Sequence, residues 1–177
     1  MSNSTTSMSN KKRAVIICPG RGCYNKDQLG YLSTFHHDKN QMINTIDNYR
    51  QQMGYIGVSD LDAQERFSVS THTKGENAAA LIYACAIGDK HAIDIEQYDI
   101  CAVTGNSMGW YIALAAAKAL SPEHAIEVIT TMGSMMEDKL IGGQLIYPVT
   151  DENWLSLPKV RQEVLAAIEQ INLMDNH

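Results

Sequence analysis

Basic charge is scarce in this chain: its 177 residues carry 14 Lys and Arg against 20 Asp and Glu, a formal net charge of −6 with His neutral. Neutralising a phosphate backbone takes clustered cations. Only Lys11-Lys12-Arg13 forms a basic run, so a dedicated nucleic-acid binder is excluded, and the triplet is read as the solvated end of a strand. Long apolar runs are lacking too. The longest, Ala78 to Gly88, covers about half of the ~20 residues that a bilayer-spanning helix needs, and no transmembrane segment is expected. The apolar run Ala14-Val15-Ile16-Ile17-Cys18 stops at Pro19-Gly20, too soon for the core of a secretory signal, so the chain is expected in the cytoplasm. The four cysteines, Cys18, Cys23, Cys85 and Cys101, include no Cys-x-x-Cys pair. Three sit in apolar runs where a thiol acts as a small hydrophobe, so they are expected to be reduced, mostly buried and free of metal. No internal repeat is present.

What is there is an ordinary globular composition, 45% hydrophobic and 19% charged, enough apolar surface for one domain and part of a second. Residues 1–12, almost all Ser, Thr and Asn before the basic triplet, are expected to form a disordered tail. Arg13 to Cys18 is short, β-branched and stopped by Pro-Gly, which predicts a strand buried on both faces. Asp38 to Met53 has Met42, Ile43, Ile46, Tyr49 and Met53 at helical spacing, with Asp38 as N-cap and Gly54 past the end. Asp60 to Phe67 is predicted as a short helix. Thr73 to Asp89 is predicted as a long Ala-rich one, apolar nearly all round as a helix packed inside a domain is. Tyr98 to Thr104 has strand composition and breaks at Gly105. Met108 to Leu120 is helical, and Ser121-Pro122 starts a further helix to about Lys139. Gly142-Gly143 closes it, Gln144 to Val149 is strand-like, and Leu157 to Ile171 is amphipathic, with Val160, Val164, Leu165, Ile168 and Ile171 on one face. This order predicts an α/β fold around a parallel sheet.

The segment Gly105-Asn106-Ser107-Met108-Gly109-Trp110 places Gly-x-Ser-x-Gly at a strand-to-helix junction, the context a nucleophile elbow requires. Glycines two residues either side of the serine allow the tight turn. Ser107 then stands at a helix N-terminus, where the dipole and free N–H groups favour negative charge, and the Met108 N–H is the natural oxyanion donor. The bland alternative is a Gly-rich turn whose serine caps a helix. Cys18-Pro19-Gly20-Arg21-Gly22-Cys23 follows the first strand directly, at the sheet edge where open α/β folds bind ligands.

These stretches resemble the malonyl-CoA:acyl carrier protein transacylases and the acyltransferase domains of fatty-acid and polyketide synthases. Ile17 to Cys23 is similar to the family's Phe-Pro-Gly-Gln-Gly-Ser segment, and Gly105 to Tyr111 to its Gly-His-Ser-Leu-Gly-Glu-Tyr elbow. Ala113 to Ser121 resembles its Ala-rich helix, and Ala125 to Asp138 the helix after it. The likeness runs from about Arg13 to Val149. It implies an acyltransferase core over 13–142 and, over 143–177, the start of a small ferredoxin-like subdomain. It also implies that Ser107 takes an acyl group from coenzyme A and passes it to the phosphopantetheine thiol of an acyl carrier protein. Acyl-CoA and the carrier's phosphopantetheine are then substrates, and no cofactor of the chain's own is expected. The oxyanion hole would use the backbone N–H groups of Met108 and Arg21, with Gly105, Asn106 and Gly109 shaping the elbow.

The departures shape the expected specificity. Met132, followed by Gly133, stands where the family has the Arg that pairs with the malonyl carboxylate. A thioether cannot form that bidentate pair, so a neutral acyl group is expected, with Met132 and Trp110 beside it. Asn106 replaces the family's His, and Trp110 its Glu. None of His36, His37, His72, His91, His124 and His177 matches the family's catalytic histidine, which lies beyond the small subdomain. His124 is read as a surface residue and His36-His37 as solvent-exposed. A complementing C-terminal segment or chain is therefore expected to supply the base. Two alternatives stay open: an acyl-thioester hydrolase, and a non-catalytic module that binds acyl carrier protein.

Overall fold

The computed structural model describes residues 11–138 and 146–174. The chain divides into two compact units, Met1–Lys139 and Leu140–His177. In the first, strand β1 (Lys12–Cys18) leads through a 3-10 turn at Lys26–Gln28 to the helices α1 (Tyr31–Phe35), α2 (Asn40–Gln52), α3 (Val58–Asp62), α4 (Val69–His72) and α5 (Gly75–Ala92). Strand β2 (Tyr98–Gly105) then precedes α6 (Gly109–Ala116) and α7 (Pro122–Asp138). The first ten residues of the tail expected over 1–12 and the expected break at Gly142-Gly143 lie outside the described residues, and Lys12, expected in the tail, is the first residue of β1.

β1 and β2 pair in parallel, from Lys12 opposite Tyr98 to Cys18 opposite Gly105. The register slips between Ala14, opposite Ile100, and Val15, opposite Ala102. Cys101 is therefore the extra residue of a bulge, and its thiol donates to the Ala14 carbonyl at 3.2 Å. The slip brings both strands to their carboxyl ends at the same level, which is where the connecting loops meet. The expected parallel α/β architecture is present; the expected burial of β1 on both faces is not. Ala14, Ile16 and Cys18 turn toward the helices, whereas Val15 and Ile17 are 52% and 71% exposed. Strand side chains alternate between faces, and α6 packs on β1 and β2 from one side.

Helix α5 is the core of the unit. Every residue from Gly75 to Ala84 is buried, and Ile87 and Gly88 with them, in line with its apolar sequence on all sides. α7 lies along it and brings Ala125, Ile126 and Ile129 into the shared cluster with Leu81, Ile82 and Ile112. Fully burying each such aliphatic side chain contributes about 1.5–3 kcal/mol. The two helices approach closely at Gly133, where an added Cβ would meet the Gly75 carbonyl at 2.7 Å.

Eight of the described buried side chains are polar or charged, and four of them, Arg50, Asp47, Asp62 and His72, bond to backbone groups of neighbouring elements. Arg50, wholly buried, donates to the carbonyls of Ile56 (2.7 Å) and Glu76 (2.8 Å) and to Asn77 Oδ1 (2.6 Å). Asp47 accepts from the Val58 and Ser59 amides and the Ser59 hydroxyl, so it caps α3 from a distance. Asp62 accepts from the Tyr24 hydroxyl (2.6 Å) and the Leu32 amide (3.0 Å). His72 is held by the Leu61 carbonyl at 3.0 Å and by Ser68. Short helices joined by irregular chain leave backbone groups unpaired, and these buried side chains satisfy them.

Several sequence expectations are corrected. α2 starts at Asn40 with Lys39 as its cap residue; Asp38 pairs with Lys39 instead. Of the helix expected over Asp60 to Phe67 only Asp60 to Asp62 is helical, as the end of α3, and α4 starts beyond it at Val69. Met108 to Leu120 is helical only from Gly109 to Ala116, because Lys118 turns to φ +60°. His36 is not exposed: it is 1% accessible and its Nε2 lies 2.9 Å from Asp89 Oδ1. The cysteines are free, but Cys23 and Cys101 are exposed. Burial pushes the thiols of Cys18 and Cys85 up, and the thiolate is the nucleophile. Brief alkylation of the native protein is therefore expected to label Cys23 and Cys101 and spare Cys18 and Cys85, which intact mass before and after denaturation checks. Labelling of all thiols at one rate would contradict the buried positions.

In the second unit, residues 146–149 form no strand. An isolated antiparallel bridge joins Thr150 to Ser156, and helix α8 (Pro158–Met174) follows, covering the expected amphipathic stretch.

Candidate functional site

The site is built where β2 ends and α6 begins. Gly105, buried, closes the strand opposite Cys18, and the Asn106 amide donates to the Cys18 carbonyl at 3.2 Å. The chain then reverses: the Gly109 amide donates to the Asn106 carbonyl (2.8 Å) and the Trp110 amide to the Ser107 carbonyl (3.1 Å). Ser107 sits at the apex with φ +52°, in the left-handed region that L-residues avoid. Strain of this kind, about 1–3 kcal/mol, persists only where the surroundings impose it, and it clusters at reactive positions.

The surroundings here are two glycines with no room for a side chain. A Cβ on Gly105 would stand 2.1 Å from both the carbonyl carbon and oxygen of Gly109, and one on Gly109 2.2 Å from the Cys18 carbonyl oxygen. The glycines of the Gly-x-Ser-x-Gly motif are therefore set by contact between strand and helix. The loop after β1 lies on the same turn, since a Cβ on Gly20 would meet the Asn106 carbonyl at 2.9 Å and Ser107 Cβ at 3.3 Å. Arg21, the next residue, is exposed. Among the described residues the amides of Arg21, Ser107 and Met108 meet no protein acceptor. Ser107 itself is exposed, Met108 half-buried beneath it.

The structure thus brings together Gly20, Arg21, Gly105, Asn106, Ser107, Met108 and Gly109. It does not draw Met132 and Trp110 into one enclosure with them. Met132, half-buried, is on α7 beside the α5 contact at Gly133, and Trp110 is 60% exposed on the first turn of α6. Cavities of about 820, 290 and 590 Å³ are lined by other residues.

No described histidine hydrogen-bonds to Ser107. His36 pairs with Asp89, His72 with Leu61 and Ser68, and His124 Nδ1 is 3.3 Å from the Ser121 hydroxyl. His37 and His91 are exposed, and His177 lies outside the described residues. Among the described residues no cluster of His, Cys, Asp and Glu could hold a metal ion, and no helix is long and apolar enough to cross a membrane.

The sequence reading missed Asp47 and Arg50. A signal for them existed: from Ile43 the steps of three, four and seven lead to Ile46, Asp47 and Arg50, the face that α2 buries. The cationic group Lys39, Lys90, His91 and Lys118 was missed as well, because its members come from separate elements.

No protein-family profile matches the chain, and no curated protein does. Solved structures do. One is a malonyl-transacylase of a type II polyketide synthase, in complex with its holo acyl-carrier protein, at 19% identity and a TM-score of 0.59 over 72% of this chain. The acyl-carrier-protein S-malonyltransferases of Burkholderia pseudomallei and Vibrio cholerae each match at 19% identity and a TM-score of 0.56, again over 72% of this chain. The matches cover 40%, 39% and 40% of the respective solved chains. Over that span the protein has the α/β acyltransferase fold.

Proposed function

We propose that this chain carries the nucleophile half of an acyltransferase that moves an acyl group from coenzyme A to an acyl carrier protein. The observation that carries the reading is Ser107 at φ +52° between two glycines whose backbones touch strand and helix. A serine that merely caps a helix has extended backbone and needs neither feature.

The chemistry starts with the Ser107 hydroxyl attacking the thioester carbonyl. Its proton passes to a base, the carbonyl oxygen takes the negative charge between the amides of Met108 and Arg21, and the coenzyme A thiol leaves with a proton. The carrier's phosphopantetheine thiol then attacks the acyl-serine ester by the same steps in reverse and restores Ser107. The base is proposed to come from a complementing C-terminal segment or chain, because no described histidine reaches the serine. Met132 and Trp110 are proposed to face the acyl group, and with no Arg at position 132 the proposed substrate is a neutral acyl chain rather than malonyl.

Incubation with acetyl-, longer acyl- and malonyl-CoA tests this by intact mass. The expected result is an adduct of one acyl group, largest with a neutral donor, absent in Ser107→Ala and transferred to a carrier protein. An adduct that survives Ser107→Ala, or none with any donor even in the presence of the complementing C-terminal half of a transacylase, overturns it. Release of free acid without transfer favours a thioester hydrolase, and a best signal with malonyl-CoA overturns the neutral-acyl preference.

A further inference from the structure

A cavity lies at the far end of α6 from Ser107. There the ends of α2, α5, α6 and α7 enclose a cavity of about 820 Å³, within the range of about 300–1,000 Å³ usual for small-molecule sites. Part of the lining is apolar, formed by Met42, Ile46, Ile87, Ala115 and Leu120. Lys39, Lys90 and Lys118 line the cavity as well, with His91 beside them, three cations in a protein whose net charge is −6.

The acids at this cavity are Asp38 and Glu123, and both are engaged. Asp38 pairs with Lys39, and the Glu123 carboxylate accepts from its own amide and the Ser121 hydroxyl at the start of α7. Among the described residues Lys90 and Lys118 have no acidic partner within ion-pair distance. Burial pushes Lys90 and His91 down from their ordinary values, and the neighbouring lysines push them further the same way. The two lysines therefore repel one another while His91 stays neutral near pH 7, and an anion between them would relieve the repulsion and accept from the imidazole.

Tyr83 supplies an independent observation. It lines the cavity at 3% exposure, and its hydroxyl makes no hydrogen bond among the described residues. The ring is buried but its hydroxyl is not one of the buried polar atoms without a partner, so the oxygen is open to water, which a polar ligand atom would replace.

We propose that this cavity binds an amphiphile with one anionic head and an apolar body, the head held by Lys90, His91 and Lys118 with the Tyr83 hydroxyl, the body resting on Met42, Ile46, Ile87 and Leu120. A neighbouring cavity of about 590 Å³, lined by Ile16, Ile93 and Ile95, shares Lys90, His91 and Lys118. The site is separate from Ser107 and does not depend on its role.

Calorimetric titration of the full chain tests the proposal with decanoate, decyl phosphate, decanol and acetate, all below their micelle concentrations. The expected result is saturable binding of decanoate or decyl phosphate, at least about tenfold tighter than decanol or acetate, weakening as salt rises. Which anionic probe binds tighter distinguishes a carboxylate head from a phosphate head. Lys118→Gly is the decisive variant, because Lys118 has φ +60°, which glycine adopts freely. Combined with Lys90→Gln it is expected to weaken the anionic probe at least about tenfold with the melting temperature unchanged or raised. Ser107→Ala is expected to bind as the parent does. Equal binding of decanol, binding of acetate as tight as decanoate, unaltered affinity in the lysine variant, or no saturable binding overturns the proposal.

Discussion

Gly105→Ala is expected to cost at least about 3 kcal/mol, beyond the ordinary overpacking penalty of about 1–3 kcal/mol. The added Cβ would fall 2.1 Å from the carbonyl carbon and oxygen of Gly109 and 2.6 Å from the Trp110 amide nitrogen. All of these are backbone atoms of the first turn of α6, so no side-chain rotation relieves the contact. The helix has to move off the strand, and the turn at Ser107 opens with it. Against a total stability of about 5–15 kcal/mol, such a loss leaves a large unfolded fraction in mild denaturant. Gly22→Ala is the comparator: Gly22 has φ +98° with nothing within 4 Å of an added Cβ, so only backbone strain of about 1–2 kcal/mol is expected. Urea midpoints of the two variants check the difference. If Gly105→Ala unfolds no earlier than Gly22→Ala, the strand and helix do not meet as described.

Arg50→Met carries the other large effect, a loss of about 3–5 kcal/mol. Methionine fills much of the volume but leaves the carbonyls of Ile56 and Glu76 and the Asn77 side-chain oxygen without their donor. The Glu76 and Asn77 acceptors are buried and the Ile56 carbonyl partly so, and an unpaired buried acceptor costs about 1–3 kcal/mol. The guanidinium is itself costly to bury: burial pushes its pKa down, while Asp47 and Glu76 push it back up. Arg50→Lys is not expected to rescue, because a compact ammonium does not span three acceptors that the planar fork reaches in different directions. A lysine variant as stable as the parent in denaturant titration would refute this account.

The two predictions differ in how visible their residues are in the sequence. Gly105 and Gly109 are read from a short motif at a strand-to-helix junction, since the turn is local and the residues that shape it are neighbours in the chain. Arg50 interacts with residues 26 and 27 positions away. Its place on the buried face of α2 is a matter of helical spacing, but its partners are set by how α2 lies on α5. His36 shows the same limit: in a polar stretch it reads as exposed, yet Asp89 at the end of α5 holds it inside. The reverse error occurs at β1, whose β-branched run reads as doubly covered while Val15 and Ile17 lie open.

By itself, then, the sequence determined the two strands and most of the helices, the parallel α/β class and the tight turn at Ser107. Those depend on backbone sterics, hydrophobic period and contacts within a few residues. The tertiary structure alone decided which charged and polar groups go inside, which face of the sheet stays open, and that Lys90 and Lys118 share a cavity with Tyr83. Burial and charge proximity arise from the packing of distant elements, and no local pattern encodes how far apart two helix ends come to rest.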